Sequence, residues 1–216
     1  MAYTGNVVPG GPPDVRELPG LVITKLSVGP MDNNAYLLRC RITGEQALID
    51  AAAEPDRLLD LVGSGGLDAV VTTHRHGDHW GALTEVLAAT GARSLAHEAD
   101  AGAIPGAPRP LRDGDRVQLG ECDLRVIHLV GHTPGSIALL YHDPHGFPHL
   151  FTGDSLFPGG PGRTTSPTDF GTLMDDLETK VFGRLPDETW FYPGHGRDST
   201  LGCERPALPQ WRARGW

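Results

Sequence analysis

The chain has 216 residues, 39% of them hydrophobic and 21% charged, which is enough apolar content for one packed domain and too much for global disorder. Its formal charge of −9 argues against a nucleic-acid-binding surface, which would be basic, and no apolar run approaches the roughly 20 residues that span a bilayer. The three cysteines, Cys40, Cys122 and Cys203, are scattered and form no CxxC pair, so a reducing, cytoplasmic setting is the expectation.

Residues 1–20 are rich in Gly and Pro and lack the basic-then-apolar pattern of a signal peptide; they predict a flexible or surface-draped arm ahead of a single domain over residues 21–216. Strands are predicted over residues 21–28, 35–41 and 46–50, the last two joined by a Thr43-Gly44-Glu45 turn. Pro55 opens a helix whose apolar side is Leu58, Leu59, Leu61 and Val62. Residues 69–73 form a short β-branched strand that runs into Thr73-His74-Arg75-His76-Gly77-Asp78-His79-Trp80-Gly81. Trp80, Leu83, Val86 and Leu87 then recur at helical spacing, followed by a strand over 94–97. The second half repeats the alternation, with strands over 122–130, 137–141, 149–152 and 189–192. Phe170, Leu173, Met174, Leu177 and Val181 mark an amphipathic helix between the last two. Alternating strands and helices in two similar blocks predict an α/β architecture with sheets covered by helices.

The histidine-rich segment carries the chemistry. Three histidines and an aspartate within six residues have no ordinary use in a folded core, where each would need its own hydrogen-bond partner. Neutral imidazoles and carboxylates are good ligands for zinc, iron or manganese. Four segments share one layout, a short apolar strand followed by a glycine-flanked turn with a metal-competent residue. These turns hold His74/His76/Asp78/His79, His132, Asp154 and His195. Glycines let the backbone turn sharply, so strand-end ligands can converge on one sheet edge. Seven candidates exceed the four ligands of one tetrahedral zinc and suit two metals with a bridging carboxylate and water. Asp50 also ends a strand and reads as a brace for the histidine loop. His97, His128, His142, His145 and His149 read as surface, turn or core.

The run HxHxDH, GHTPGS, TGDSLF and PGHG, in that order across residues 21–205, resembles the metallo-β-lactamase superfamily and, within it, the glyoxalase II-like hydrolases. The resemblance implies an αββα sandwich with the metal centre at one edge of its two sheets. It implies His74, His76 and His132 on one metal, Asp78, His79 and His195 on a second, and Asp154 bridging both. Two divalent ions are implied, zinc foremost and iron or manganese compatible. They would serve cleavage of a small-molecule thioester or ester by a metal-bridging hydroxide, with Asp78 and Asp154 as the catalytic carboxylates. No nucleic-acid or membrane partner is expected.

Gly162-Arg163-Thr164 is similar to the short glyoxalase II-like and persulfide-dioxygenase-like branches, which implies that Arg163 contacts substrate or the Asp154 loop. A mononuclear iron persulfide dioxygenase is the alternative; Gly194-His195-Gly196 leans towards the hydrolases. No cysteine follows a strand where the first lactamase subclass places one. Only 21 residues follow His195, so the glutathione-binding helical region of longer members is not expected.

Overall fold

A computed structural model describes residues 3–215. The first sheet contains β1 (Asp14–Glu17), β2 (Leu21–Val28), β3 (Asn33–Cys40), β4 (Gln46–Ile49), β5 (Ala69–Thr72), β6 (Arg93–His97) and β7 (Arg109–Leu111), in that spatial order. Its first four strands are an antiparallel meander, and from β4 onward the neighbours run parallel. Parallel neighbours need crossovers, and α1 (Pro55–Val62) and α2 (Leu83–Thr90) supply two of them. A third, short helix, α3 (Glu98–Ala101), follows β6.

The second sheet contains β8 (Arg116–Leu119), β9 (Cys122–His128), β10 (Ile137–His142), β11 (Pro148–Gly153), β14 (Trp190–Pro193) and β15 (Ser199–Thr200). Its order is β15-β14-β11-β10-β9-β8, and β11 pairs parallel with β14. A small ribbon of β12 (Leu156–Phe157) and β13 (Gly160–Pro161) leads to α4 (Pro167–Asp176). Pro167 stands in the first turn of α4, and the Ser166 hydroxyl accepts the Asp169 N–H at 3.1 Å, so the sequence both starts and caps this helix. The chain then widens into a π turn over Leu177–Phe182, which carries Leu177 and Val181 onto the same buried face. Two further helices, α5 (Leu201–Glu204) and α6 (Leu208–Arg214), complete the described chain.

Three apolar clusters define the layers. One lies between the sheets, from Leu21, Ile23, Tyr36 and Leu38 on one side to Leu124, Val126, Leu139, Phe151 and Tyr192 on the other. A second packs the outer face of the first sheet, through Leu48 and Val70, against Leu58, Leu83 and Val86 of α1 and α2. A third packs Ile127, Leu140 and Leu150 against Phe170, Leu173, Met174 and Trp211 of the helices beyond the second sheet. The architecture is therefore the expected αββα sandwich. No helix among the described residues is long and apolar enough to cross a membrane.

Of the arm expected over residues 1–20, residues 1 and 2 lie outside the described residues, and the rest includes a strand. Asp14–Glu17 alternate half-buried and exposed and pair in register with residues 22–25 of β2, so this segment is an edge strand. The preceding residues are tied down as well: Asp14 accepts the backbone N–H groups of Thr4 and Gly5 at 2.9 Å. Carboxylate caps and buried partners, rather than apolar periodicity, order this stretch, and composition does not reveal them.

Candidate metal centre

The histidine loop follows β5 and is braced from the neighbouring strand. Asp50, directly after β4, adopts a left-handed conformation (φ 58°) that turns its side chain under the loop. Its carboxylate accepts the Thr73 N–H at 2.7 Å, the Thr73 hydroxyl at 2.8 Å and the His79 Nδ1–H at 2.8 Å. The Thr73 hydroxyl, having donated to Asp50, faces His74 Nδ1 at 3.1 Å as acceptor. A single 3₁₀ turn over Gly77–His79 swings His79 back into the protein, where it is buried, while His76 stays exposed.

The other three ligand candidates arrive on turns of the second sheet. His132 follows β9 and its Nδ1 meets the Arg163 carbonyl at 2.7 Å. Asp100, buried in α3, accepts from the Arg75 N–H at 3.0 Å, the Thr133 hydroxyl at 2.5 Å and the Gly135 N–H at 3.0 Å. One carboxylate thus pins the His74/His76 loop to the His132 loop. Asp154 follows β11. Gly153 just before it has φ 48° and leaves no room for a side chain beside Thr73, so glycine alone suits that turn. His195 follows β14, and its Nδ1 faces the Met31 carbonyl at 2.9 Å.

The His195 loop is held by a buried polar network from β2 and β3. Asn34 donates to the Pro193 carbonyl at 2.9 Å and the Gly196 carbonyl at 3.0 Å, and Tyr36 donates to Pro193 at 2.6 Å. Lys25, fully buried, donates to the Gly5 carbonyl at 2.8 Å, the Gly196 carbonyl at 2.7 Å and Asp198 at 2.6 Å. Gly194 lies against Asp154 and His79: a Cβ there would collide with Asp154 Oδ1 and come within 2.7 Å of His79 Cε1.

All seven predicted residues meet at this edge. Their potential donor atoms fall into three groups, each within 4.8 Å: His74, His76 and His132; Asp78, His79 and His195; and His74, His79 and Asp154. Asp154 faces both trios, Oδ1 lying 3.5 Å from His79 Nε2, and Oδ2 lying 3.6 Å from His132 Nε2 and 3.5 Å from His195 Nε2. Asp78 Oδ2 sits 3.5 Å from His79 Nε2 and 3.4 Å from His195 Nε2. Four donors about 2.0–2.1 Å from a tetrahedral zinc lie about 3.3 Å apart, close to this spacing. Moreover, His79 Nε2 and Asp154 Oδ1 are buried with no hydrogen-bond partner. Orphaned atoms of that kind are costly unless something else binds them, and imidazole with carboxylate is the right chemistry for a divalent cation. The residues fit a pair of such ions.

Hydrogen bonding assigns the facing nitrogens. Nδ1 of His74, His79, His132 and His195 each meets an acceptor, which leaves Nε2 of each ring as the nitrogen directed inward. His76 is the exception: it presents Nδ1, 3.0 Å from His74 Nε2.

Charge separates the two trios. Burial, with help from neighbouring imidazoles, pushes His74 well below the usual histidine value, and burial likewise lowers His132. Burial also opposes a charge on His79, but the Asp50 and Asp154 carboxylates outweigh it and raise His79 to about 10. Asp154 in the same way overcomes burial to raise His195. Burial disfavours ionised Asp154, yet the facing His195 and His79 imidazoles hold its carboxyl far below the ordinary range.

Several residues that matter here were not anticipated. Asn33 donates to Asp78 Oδ2 at 2.9 Å and faces His195. Asn34, Lys25, Asp100 and Asp198 act through contacts distant in sequence, which no local pattern signals. Asp50 does brace the loop. Arg163 meets His132 through its backbone carbonyl, and this exposed residue lines a cavity of about 270 Å³ with Phe170 and Arg214. Of the spare histidines, His97 stacks on His128 at 3.8 Å and caps α3, and His149 pairs with the Tyr192 hydroxyl at 2.8 Å. Tyr192 is buried between the sheets.

Similarities to known proteins agree with this geometry. The chain is 39% identical to a hydroxyacylglutathione hydrolase of Rhodospirillum rubrum over 167 residues, 76% of this chain and 62% of that relative. The chain thus spans less than two thirds of that relative's length. Among solved structures it is similar to ETHE1 from Myxococcus xanthus, with 31% identity, a TM-score of 0.76, and coverage of 88% of this chain and 84% of that one. It also resembles TTHA1623 solved in a di-iron-bound form, with 35% identity, a TM-score of 0.69, and coverage of 84% and 96%. The family model described as the metallo-beta-lactamase superfamily matches residues 28–195, from the end of β2 to His195. With fold, ligand order and family model in agreement, the chain belongs to the metallo-β-lactamase superfamily.

Proposed function

We propose that the chain is a metal-dependent hydrolase of a small-molecule thioester. His74, His76 and His132 hold one divalent ion, Asp78, His79 and His195 hold a second, and Asp154 is shared. The observation that carries this reading is the completeness of both trios around one carboxylate, with His79 Nε2 and Asp154 Oδ1 otherwise orphaned. Bound divalent ions would supply Lewis acidity towards a carbonyl oxygen and acidify water towards neutral pH.

The chain's own residues do the rest. Asp50, Thr73, and the Arg163 and Met31 carbonyls fix four imidazole tautomers, so that no ring must turn to receive an ion. Asn33 orients Asp78, and Asp154 stays ionised at every working pH. Arg163 and Arg214 line the cavity beside the carbonyl that holds His132, a place suited to an anionic end of the substrate. The similarity to hydroxyacylglutathione hydrolases supports thioester as the class of bond. Zinc is the first choice of metal by ligand type, with iron and manganese compatible. Three free thiols and an acidic surface suit a reducing compartment such as the cytoplasm and a partner that is a small molecule rather than nucleic acid.

The test pairs metal analysis with two assays: thiol release from S-lactoylglutathione and oxygen uptake with glutathione persulfide. Two metals per chain and thiol release without oxygen uptake are expected. One iron per chain with stoichiometric oxygen consumption would overturn the assignment in favour of a persulfide dioxygenase.

A further inference from the structure

The end of the sandwich remote from the ligand cluster holds two thiols that the hydrolase reading does not use. β3 starts at Asn33, which contacts Asp78, and ends at Cys40, about 23 Å further on for seven residues of extended chain. β9 starts at Cys122 and runs towards His132. Both cysteines belong to the cluster between the sheets, one from each sheet.

Two glycines bring them together. The Gly20 carbonyl accepts the Cys122 thiol at 3.4 Å and also the N–H of Arg41, the residue after Cys40, at 2.9 Å. Gly120, two residues before Cys122, packs so tightly on Cys40 that a Cβ there would lie 2.9 Å from its Sγ.

Their surroundings differ. Around the Cys40 sulfur stand the Thr43 hydroxyl and the N–H groups of Ile42, Thr43 and Glu121. Burial alone would raise this thiol, but these donors outweigh it and lower it to about 7. Cys122, by contrast, is raised to about 11 by burial and by Cys40. Cys40 has no exposed surface, while Cys122 lines a cavity of about 340 Å³ with Ile42, Arg125, Tyr141 and His145. A small oxidant entering that cavity reaches Cys122, and Cys40 lies beneath it in the same cluster between the sheets.

We propose that Cys40 and Cys122 are an oxidisable dithiol, a modification site at which a peroxide closes a disulfide between the two sheets. The Cys40 thiolate attacks one peroxide oxygen, the O–O bond breaks, and the departing hydroxide takes up a proton as water, leaving a sulfenic acid on Cys40. The Cys122 sulfur then attacks that sulfur and its proton leaves with the hydroxyl as a second water. Two thiols lose two electrons in all, and one peroxide becomes two waters. The chemistry is independent of the metal centre, and a thiol reductant reverses it.

The full-length chain treated with hydrogen peroxide at neutral pH tests this. Thiol titration after denaturation should fall from three per chain to one, and a non-reducing digest should contain Cys40 joined to Cys122. In a Cys122→Ser variant the reaction should stop at the sulfenic acid, trapped on Cys40 by dimedone. Thr43→Val should slow thiol loss several-fold by removing one donor to the Cys40 sulfur. Oxidation confined to exposed Cys203, disulfides only between chains, or a dimedone adduct absent from Cys40 would each overturn the proposal.

Discussion

The two candidate ligand trios share one loop but are braced by opposite kinds of chemistry. His74 and His132 lean on a hydroxyl and a backbone carbonyl, and burial keeps both neutral. His79 leans on the Asp50 carboxylate and, with His195, on Asp154, and both hold a proton more tightly than an ordinary histidine. In the proposed hydrolase, His74 and His132 would meet an ion with lone pairs ready, whereas His79 and His195 would first give up protons. His74 and His79, on one loop, differ through the group that stands behind each.

Three experiments sharpen or break that contrast. The largest effect is expected from Asp154→Ala, which removes the one carboxylate facing both trios. Metal content should drop to at most one ion per chain, and hydrolysis should fall roughly 10²–10³-fold or further. Two ions retained on that variant, measured by elemental analysis, would sink its shared role. A smaller, one-sided effect is expected from Asp50→Asn, which keeps the shape but withdraws the negative charge behind His79. One ion should bind roughly 10–100-fold more weakly in a chelator competition while the other is unchanged. An equal loss at both positions would erase the distinction between the trios.

The smallest effect is graded, and it follows pH. A proton competes with an ion wherever a ligand's pKa lies above the solution pH. His79 at about 10 and the raised His195 compete throughout the neutral range, more strongly as pH falls. His74 and His132, lowered from 6.5, compete only in acid. Dialysis from pH 8 down to pH 5.5 should therefore release one ion before the other. Loss of both in parallel would contradict the contrast.

How much of this was legible in the sequence depends on the distance over which each residue acts. All seven ligand candidates stand in glycine-flanked turns after short apolar strands, a local signature, and the fold brings all seven together. The longer strands of both sheets from residue 21 onward were visible for the same reason, since alternation and β-branching are local, whereas the two-residue strands Leu156–Phe157 and Gly160–Pro161 were not. The braces were not visible, apart from Asp50. Lys25 reaches Gly196 and Asp198 across more than 170 residues, and Asp100 joins two loops that follow different strands. Such pairings exist only once the sheets have stacked. Arg163 was noticed for its side chain, yet its contact with His132 is made by a backbone carbonyl, and every residue type carries one. The edge strand at Asp14–Glu17 was hidden by the glycines and prolines around it.

Gly194 carries no donor atom, yet its bare backbone lies where a single methyl would push into Asp154 and His79. In a saturation mutagenesis screen it should therefore behave as an eighth ligand, intolerant of even alanine. A functional map built from side-chain chemistry alone would leave that position blank.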